Sequence, residues 1–386
     1  MHLRGEGWEN LRAEQSRAEQ SRAEQSRAEQ SRAEQSRAEQ SRAKQSRAEQ
    51  SRATNFEILR IISMLLIVTG HSITHGGFTE IPLTINGMMA VVLTQGARIG
   101  VDIFILLSGY FSVKKTASNR KIKKLYIQIW TYSVLVTGSM MVFGIIPVGL
   151  KTVISMVLPI STSQYWFATC YMLLILMSPC FQACMEKLSR KQLQGILIVF
   201  GILWSVIPTL LIGSPGYSNL GWLAYVYLLG AYIRVYEPPI CKKIKVWHGI
   251  VWLIGICILA VGTYCFGYSS MFFRSNAVYL FAEMNKLPAI ICAVLLFLGF
   301  KNWDRKQNLF INKVAACTFG VYLLHDNPQI RTFLWEKLLD NKKYIADISF
   351  PVHIVGSIVL VFTVGIIIEW VRQYLEKNIH ILVGRK

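Results

Sequence analysis

The stretch from Asn55 to His71 reads NFEILRIISMLLIVTGH and combines an apolar helical pattern with an arginine and a histidine. Arg60 and His71 are eleven residues apart, about 1100° of helical rotation and about 16 Å along the axis. Both side chains are therefore predicted on one helix face, together with Met64 and Ile67. Ionisable side chains at membrane depth are costly and commonly functional. An imidazole in such a place can serve as a general base.

A second candidate group lies between residues 95 and 111, where the sequence reads QGARIGVDIFILLSGYF. Arg98 and Asp102 are four residues apart, so they are predicted to share a helix face and to be able to pair. A structural ion pair and a functional pair are equally good interpretations. Trp166, in the sequence QYWF, fits the aromatic belt of a membrane interface, and a sugar-binding aromatic platform is the alternative.

Two further motifs contain the remaining candidate functional residues. Residues 319–328 read FGVYLLHDNP, so His325 follows Tyr322 by three residues and precedes Asp326. The basic sequence SNRKIKKL, residues 118–125, contains Arg120, Lys121, Lys123 and Lys124. This cluster is explained by topological anchoring alone. The functional alternative is a site for the phosphates of a cytoplasmic nucleotide-like donor.

The elements that must position these residues are membrane helices. The chain of 386 residues is 53% hydrophobic, above the roughly 45–50% of soluble proteins. Its apolar residues fall in blocks close to the roughly 20 residues that span a bilayer. The fold class predicted is all-α, a polytopic helix bundle with about ten transmembrane segments. These segments cover about residues 56–73, 88–111, 125–146, 165–184, 193–212, 219–235, 247–267, 287–300, 309–327 and 351–371.

Loop charges give the predicted bundle a direction. The net charge is +19, but the basic residues lie in short loops between apolar blocks, so membrane topology explains them and nucleic acid is not expected as a partner. Loops on the side of both termini carry 20 Lys and Arg residues, against 7 on the other side. Both termini are therefore predicted to be cytoplasmic. Arg60 then lies near the inner surface, and His71 and His325 lie near the outer one.

The N-terminal region is of a different kind. Residues 12–51 are eight copies of RAEQS, one of them with Lys44 in place of glutamate. A period of five forms no apolar stripe on a helix, so residues 1–53 are predicted to be a disordered or non-essential tail, and residues 54–386 the membrane domain.

The eight cysteines form no CxxC pair. They have no clustered histidine partner either. They are interpreted as packing residues, and neither a disulfide framework nor a metal site is predicted.

Four sequence blocks resemble one family. NFEILRIISMLLIVxxH, GVDIFILLSGYF, YWFxxxY and FGVYLLHDN are similar, in this order, to blocks of the integral membrane acyltransferase-3 family, whose members O-acylate cell-surface carbohydrates. The likeness covers about residues 54–375. It implies ten core helices, with acyl-CoA on the cytoplasmic side and the acceptor outside. It also implies that His71 and Arg60 match the essential histidine and arginine of the family.

The resemblance extends to the basic cluster, with a difference. The family commonly has an Arg-x-x-Arg pair after its second helix, and here Arg120-x-x-Lys123 stands beside Lys121-x-x-Lys124. Lysine keeps the charge but lacks the bidentate fork of arginine. Some members carry an extracellular hydrolase-like domain that completes the transfer. This chain ends about fifteen residues after its last predicted helix, so any such transferase is expected to be a separate protein.

The resemblance leads to the hypothesis that the protein is an O-acetyltransferase of the plasma membrane. An acyl group, most simply acetyl, passes from cytoplasmic acyl-CoA, a co-substrate and not a bound cofactor, to a hydroxyl of an extracellular or lipid-linked carbohydrate. His71 acts as general base or relays the acyl group. Arg98 with Asp102 orients the acceptor or His71.

In the same hypothesis His325, Tyr322 and Trp166 bind the acceptor in an outer vestibule. The alternative class is a secondary transporter or flippase that uses His71, Arg98 and Asp102 as coupling groups.

Overall fold

The membrane domain is described by a computed structural model. The described residues are Gln30 and residues 54–383, with gaps at 79, 114–117, 211–212, 214–215, 271 and 273–278. From residue 379 to residue 383, only the backbone is described. The predicted repeat tail, apart from Gln30, lies outside the described residues.

Fourteen α-helices are present in the described part of the membrane domain, and no β-strand is found there. They are α1 Thr54–Thr74, α2 Ile85–Thr94, α3 Gly96–Ser112, α4 Asn119–Val142, α5 Leu150–Val157, α6 Trp166–Leu176, α7 Ser178–Lys187, α8 Arg190–Gly201, α9 Ile207–Leu210, α10 Asn219–Tyr236, α11 Val246–Phe266, α12 Leu287–Lys301, α13 Leu309–His325 and α14 Phe350–Val383. A π-helical turn, Ile202–Val206, joins α8 to α9, and another, Phe333–Leu338, follows α13. The all-α prediction is confirmed.

The number of membrane spans is smaller than predicted when length and composition are the criteria. Among the described residues, six helical stretches are long and apolar enough to cross a bilayer: α1, α2 with α3, α4, α8 through α9, α11 and α14. The pair α6 and α7 adds a seventh if its 49° bend is counted as one broken span. The remaining predicted segments form the apolar helices α12 and α13, of 15 and 17 residues, and α10.

Helix α3 lies in the middle of the bundle, between α1 and α10. Ser63 of α1 donates a hydrogen bond to the carbonyl oxygen of Gly100 in α3 (2.7 Å). A Cβ atom on Gly109 would lie 2.0 Å from the carbonyl oxygen of Tyr227 in α10, and one on Gly230 would lie 2.4 Å from that of Leu106. Small residues therefore let these backbones touch, as is common between membrane helices.

A buried glutamate ties α14 to the bundle. Glu369 accepts hydrogen bonds from Tyr132 (2.9 Å) and Gln128 (3.0 Å) of α4, and Arg372 forms two more with it at 2.8 Å each. Because every partner is supplied within the protein, this carboxylate is well paired at its buried position. It is a structural anchor that the sequence analysis did not single out.

Candidate functional site

The ends of α1 and α13 bring three histidines and an aspartate together. His71 Nδ1 lies 3.0 Å from His325 Nε2, although the two residues are 254 positions apart in the sequence. His75 follows His71 by one helical turn, and its Nε2 lies 3.3 Å from Asp326 Oδ1. His325 is fully buried, whereas the side chain of His71 keeps 18% of its exposure. The sequence predicted only a similar depth for His71 and His325, whereas in the structure the two side chains are in direct contact.

Hydrogen bonding assigns the proton positions of the two contacting imidazoles. His325 Nδ1 lies 2.6 Å from the carbonyl oxygen of Val321, which can only accept, so Nδ1 carries the hydrogen. In a neutral ring, His325 Nε2 is then an acceptor, and His71 must donate to it from Nδ1. Neutral His71 is left with an unprotonated Nε2, the nitrogen that a general base needs.

Asp326 is the charged centre of this cluster. Its Oδ1 lies 3.7 Å from His71 Nδ1 and 3.7 Å from Arg331 Nη1, in addition to its contact with His75. Its side chain is only 3% exposed. A carboxylate in this position stabilises an imidazolium on His71 after proton uptake, as the third member of an acid–base chain does.

A cleft of about 530 Å³ opens beside the cluster. It is lined by Thr74, His75, Gly77, Phe78, Arg331, Thr332, Glu336 and Lys342. Because His75 and Arg331 both contact Asp326, the cleft is adjacent to the His71 cluster. Three side chains were expected in an outer vestibule: Trp166, Tyr322 and His325. None of them is among the described residues that line this cleft.

The predicted pairing of Arg98 with Asp102 is wrong in detail, because each has another partner. Arg98 Nε lies 3.4 Å from Glu283 Oε1, and its guanidinium lies 5.6 Å from the centre of the Trp166 ring. Asp102 is fully buried and accepts the indole N–H of Trp222 (2.9 Å). Trp222 reaches Asp102 inside the bundle, and Glu283 reaches Arg98 at the half-exposed rim of the bundle. These tertiary partners therefore replace the neighbour on the same helix.

Tyr322 lies below the histidines as part of the aromatic packing. Its ring centre is 5.3 Å from that of Phe167 and 6.3 Å from that of His325. Nearby, Asn327 donates a hydrogen bond to the hydroxyl of Tyr165 (2.7 Å), which joins the end of α13 to the start of α6. Tyr322 and Tyr165 are both buried, so in this structure they support the cluster from within.

Arg60 lies on α1 as predicted, at the other end of the helix from His71. It is paired with Glu57, the two side chains being 2.7 Å apart. Between Arg60 and His71, Met64 and Ile67 are 1% and 2% exposed. The predicted face is therefore filled by packed side chains over the distance from the arginine to the histidine.

The basic sequence of residues 118–125 belongs to a helix, where a loop was expected. Arg120, Lys121, Lys123 and Lys124 lie in the first turns of α4, and all four are exposed. Cations are unfavourable at the N-terminus of a helix, where its dipole is positive. An anion bound at these residues would relieve that repulsion, so the position suits phosphate groups as well as topological anchoring.

Several partners of the candidate side chains were not predicted from the sequence. His75, Arg331 and Glu283 were not singled out, and Asp326 was noted only as a neighbour of His325. The spacing of His71 and His75, four residues apart on one helix face, was a usable signal. No local signal marks Arg331 or Glu283, because their partners come from distant segments.

Comparison with known proteins gives one match. The model of a family described as an acyltransferase domain, that of the acyltransferase-3 family, matches residues 54–370. No curated protein and no solved structure matches the chain. The matched region includes α1 to α13 and most of α14, and with them the whole histidine cluster.

Proposed function

Because the chain belongs to the acyltransferase-3 family, we propose that it is an O-acyltransferase of cell-surface carbohydrate. The acyl group, acetyl as the simplest choice, comes from acyl-CoA in the cytoplasm. The acceptor is a hydroxyl of an extracellular or lipid-linked carbohydrate, so that the reaction modifies polysaccharide. Acyl-CoA is consumed as a co-substrate, and the bilayer is the partner in which both substrates are brought together.

One observation carries the proposal for the chemical step: the hydrogen-bonded chain from the Val321 carbonyl through His325 to His71. These hydrogen bonds support a neutral His71 whose Nε2 lone pair is available. Asp326, at 3.7 Å from His71 Nδ1, supports the imidazolium that proton uptake creates. The arrangement matches the demands of a general base held in one tautomer.

In the proposed reaction, the acceptor hydroxyl approaches His71 Nε2 from the cleft beside His75. His71 removes the hydroxyl proton as the oxygen attacks the thioester carbonyl carbon. The new C–O bond forms, the C–S bond breaks, and the proton passes from His71 to the departing CoA sulfur. Formation of an acyl-histidine intermediate is the variant of this route.

The donor half of the proposal begins at the cytoplasmic surface. The exposed cations at the start of α4 would attract the phosphates of acyl-CoA, and Arg60 would hold the donor as its pantetheine arm enters. The arm must then displace packed side chains between Arg60 and His71. Met64 lies on this path, and the flexible, unbranched side chain of methionine can adapt to a passing chain.

The membrane arrangement in the proposal has ten crossings. The seven spans counted with the bent pair α6 and α7 would be joined by α10, α12 and α13. Loop charges favour cytoplasmic termini, and the plasma membrane is the proposed location because the acceptor is at the cell surface. Any extracellular transferase that completes the reaction would be a separate partner. Labelling of cysteines engineered at this end of α1 would test whether His71 and His75 lie at the outer surface, as proposed.

The experiment that tests the proposal is incorporation of labelled acetyl from acetyl-CoA into surface carbohydrate of membrane vesicles. His71→Ala should lower the rate by about 10²–10⁴-fold, the usual contribution of a general base. Arg60→Ala should raise the KM for acetyl-CoA by about 10–100-fold, since a charged hydrogen bond contributes about 1.5–3 kcal/mol. Arg60→Lys should lose less, because it keeps the charge.

His248→Ala is the matched control for His71, because His248 is half-exposed at the start of α11 and its described hydrogen bonds go only to the backbone of Lys245. Equal insertion of all variants is checked by membrane fractionation. A His71→Ala variant that inserts normally and keeps the wild-type rate contradicts the assigned base. Vesicle uptake of substrate without consumption of CoA would instead identify the transporter alternative.

A further inference from the structure

The outer histidine cluster has a second property that acyl transfer does not require. His71 Nδ1, His75 Nε2 and Asp326 Oδ1 all lie within 4.8 Å of one another. Asp326 Oδ1 is buried and makes no aligned hydrogen bond within the described part of the chain, although both imidazoles are close to it. Three possible metal-ligand atoms thus converge on one small volume.

The separations between these atoms fit a metal ion. In a tetrahedral zinc site, bonds of about 2.0–2.2 Å place neighbouring ligand atoms about 3.4 Å apart. Here Asp326 Oδ1 is 3.3 Å from His75 and 3.7 Å from His71.

We propose that His71, His75 and Asp326 form a binding site for a divalent transition metal, with Zn²⁺ as the best fit. Imidazole nitrogens suit Zn²⁺, Cu²⁺ and Ni²⁺, whereas Mg²⁺ and Ca²⁺ prefer oxygen ligands. His75 directly follows α1, and its N–H donates a hydrogen bond to the His71 carbonyl oxygen (3.0 Å), so helical geometry sets the spacing of the two histidines. Asp326, the residue after α13, supplies negative charge next to the cleft through which an ion reaches the site.

Metal binding at this site inhibits acyl transfer, a consequence that rests on the function proposed above. An ion on His71 Nδ1 takes the position of the hydrogen that points to His325. The neutral imidazole then carries its single hydrogen on Nε2. That nitrogen has no lone pair for the acceptor hydroxyl, so the base is blocked until the metal leaves.

Arg331 is expected to weaken metal binding at this site. Its Nη1 lies 3.7 Å from Asp326 Oδ1, the same oxygen that the metal would use. A second cation at this oxygen requires the half-exposed guanidinium to turn away into the cleft. Arg331→Gln should therefore bind Zn²⁺ more tightly than the wild type, by at least severalfold.

The test measures metal binding without reference to activity. Untagged, full-length protein in detergent is titrated with Co²⁺, whose visible absorption becomes intense when its coordination is tetrahedral, and with Zn²⁺ by calorimetry. We expect one ion per chain. His75→Ala and Asp326→Asn should each weaken binding by more than about 100-fold, since even the loss of groups that merely support metal ligands costs 10–100-fold. His248→Ala should bind as the wild type does.

Gel filtration confirms that each variant is folded, and His75→Gln serves as a second, more conservative variant. The proposal is overturned if the wild type binds no stoichiometric metal, or if folded His75→Ala and Asp326→Asn bind as tightly as the wild type. Zn²⁺ should also inhibit acyl transfer by the wild type, with recovery on chelation. Because binding is read by absorption and heat, a protein that binds metal but transfers no acyl group would contradict the proposed function alone.

Discussion

The two ends of α1 are built in opposite ways. At the His71 end, three imidazoles and a carboxylate contact one another, and His325 and Asp326 are almost completely buried. At the other end, Arg60 is paired with its helical neighbour Glu57, and the cations at the start of α4 are exposed.

The difference separates two kinds of site. A cluster whose members hold each other in place is prepared for chemistry before a substrate arrives, because orientation and tautomer are already set. An exposed basic surface holds nothing in place and instead attracts a mobile, multiply charged ligand over a distance. Damage to the first should therefore act on kcat, and damage to the second on KM.

The largest effect is expected from the residue that fixes the tautomer of His71. His325→Phe removes the acceptor for His71 Nδ1 and should lower kcat for acetyl transfer by about 10²–10⁴-fold, within the range of acid–base catalysis. The KM for acetyl-CoA should change little. His325→Gln should recover part of the rate, because its amide oxygen can accept the same hydrogen bond. Initial rates in vesicles measure both constants, and equal losses in the two variants would show that His325 acts only through packing.

A smaller effect is expected from the basic residues at the start of α4. Arg120→Ala with Lys123→Ala should raise the KM for acetyl-CoA by about 2–10-fold, because exposed charges contribute about 0.2–1 kcal/mol each. The difference from the wild type should shrink at 1 M salt, where the Debye length is about 3 Å. Lys242→Ala with Lys243→Ala, two exposed cations after α10, is the matched control. If both pairs act alike, the surface contributes only general positive charge.

The smallest effect is expected from the repeat tail. Deletion of residues 2–53 removes 11 of the 41 basic residues, because 30 lie in the membrane domain, but the RAEQS repeats that it removes carry no apolar stripe for packing. Membrane insertion, kcat and the KM for acetyl-CoA should all be unchanged. Fractionation and the vesicle assay check this, and a raised KM would assign part of the donor surface to the tail.

The sequence by itself determined the helical class and the matched family, and it selected His71 and Arg60 as candidate reactive residues. Apolar blocks of membrane length allow only helices or closed barrels, and their lengths here favour helices. The eleven-residue spacing of Arg60 and His71 follows from helical geometry wherever the helix lies. The charges of the loops predict a similar depth for His325, so this residue could also be selected as a candidate from the sequence. The count of about ten spans came from hydropathy alone, and length in the structure supports six or seven.

Only the tertiary structure decided which side chains are partners. Helical spacing paired Arg98 with Asp102, but Glu283 and Trp222 reach them from elsewhere in the chain. The contact of His71 with His325 joins residues 254 positions apart, and the orientation of both rings depends on the Val321 carbonyl. Periodicity describes one helix at a time. The tautomer of His71, its carboxylate and the convergent metal ligands exist only where the ends of α1 and α13 meet.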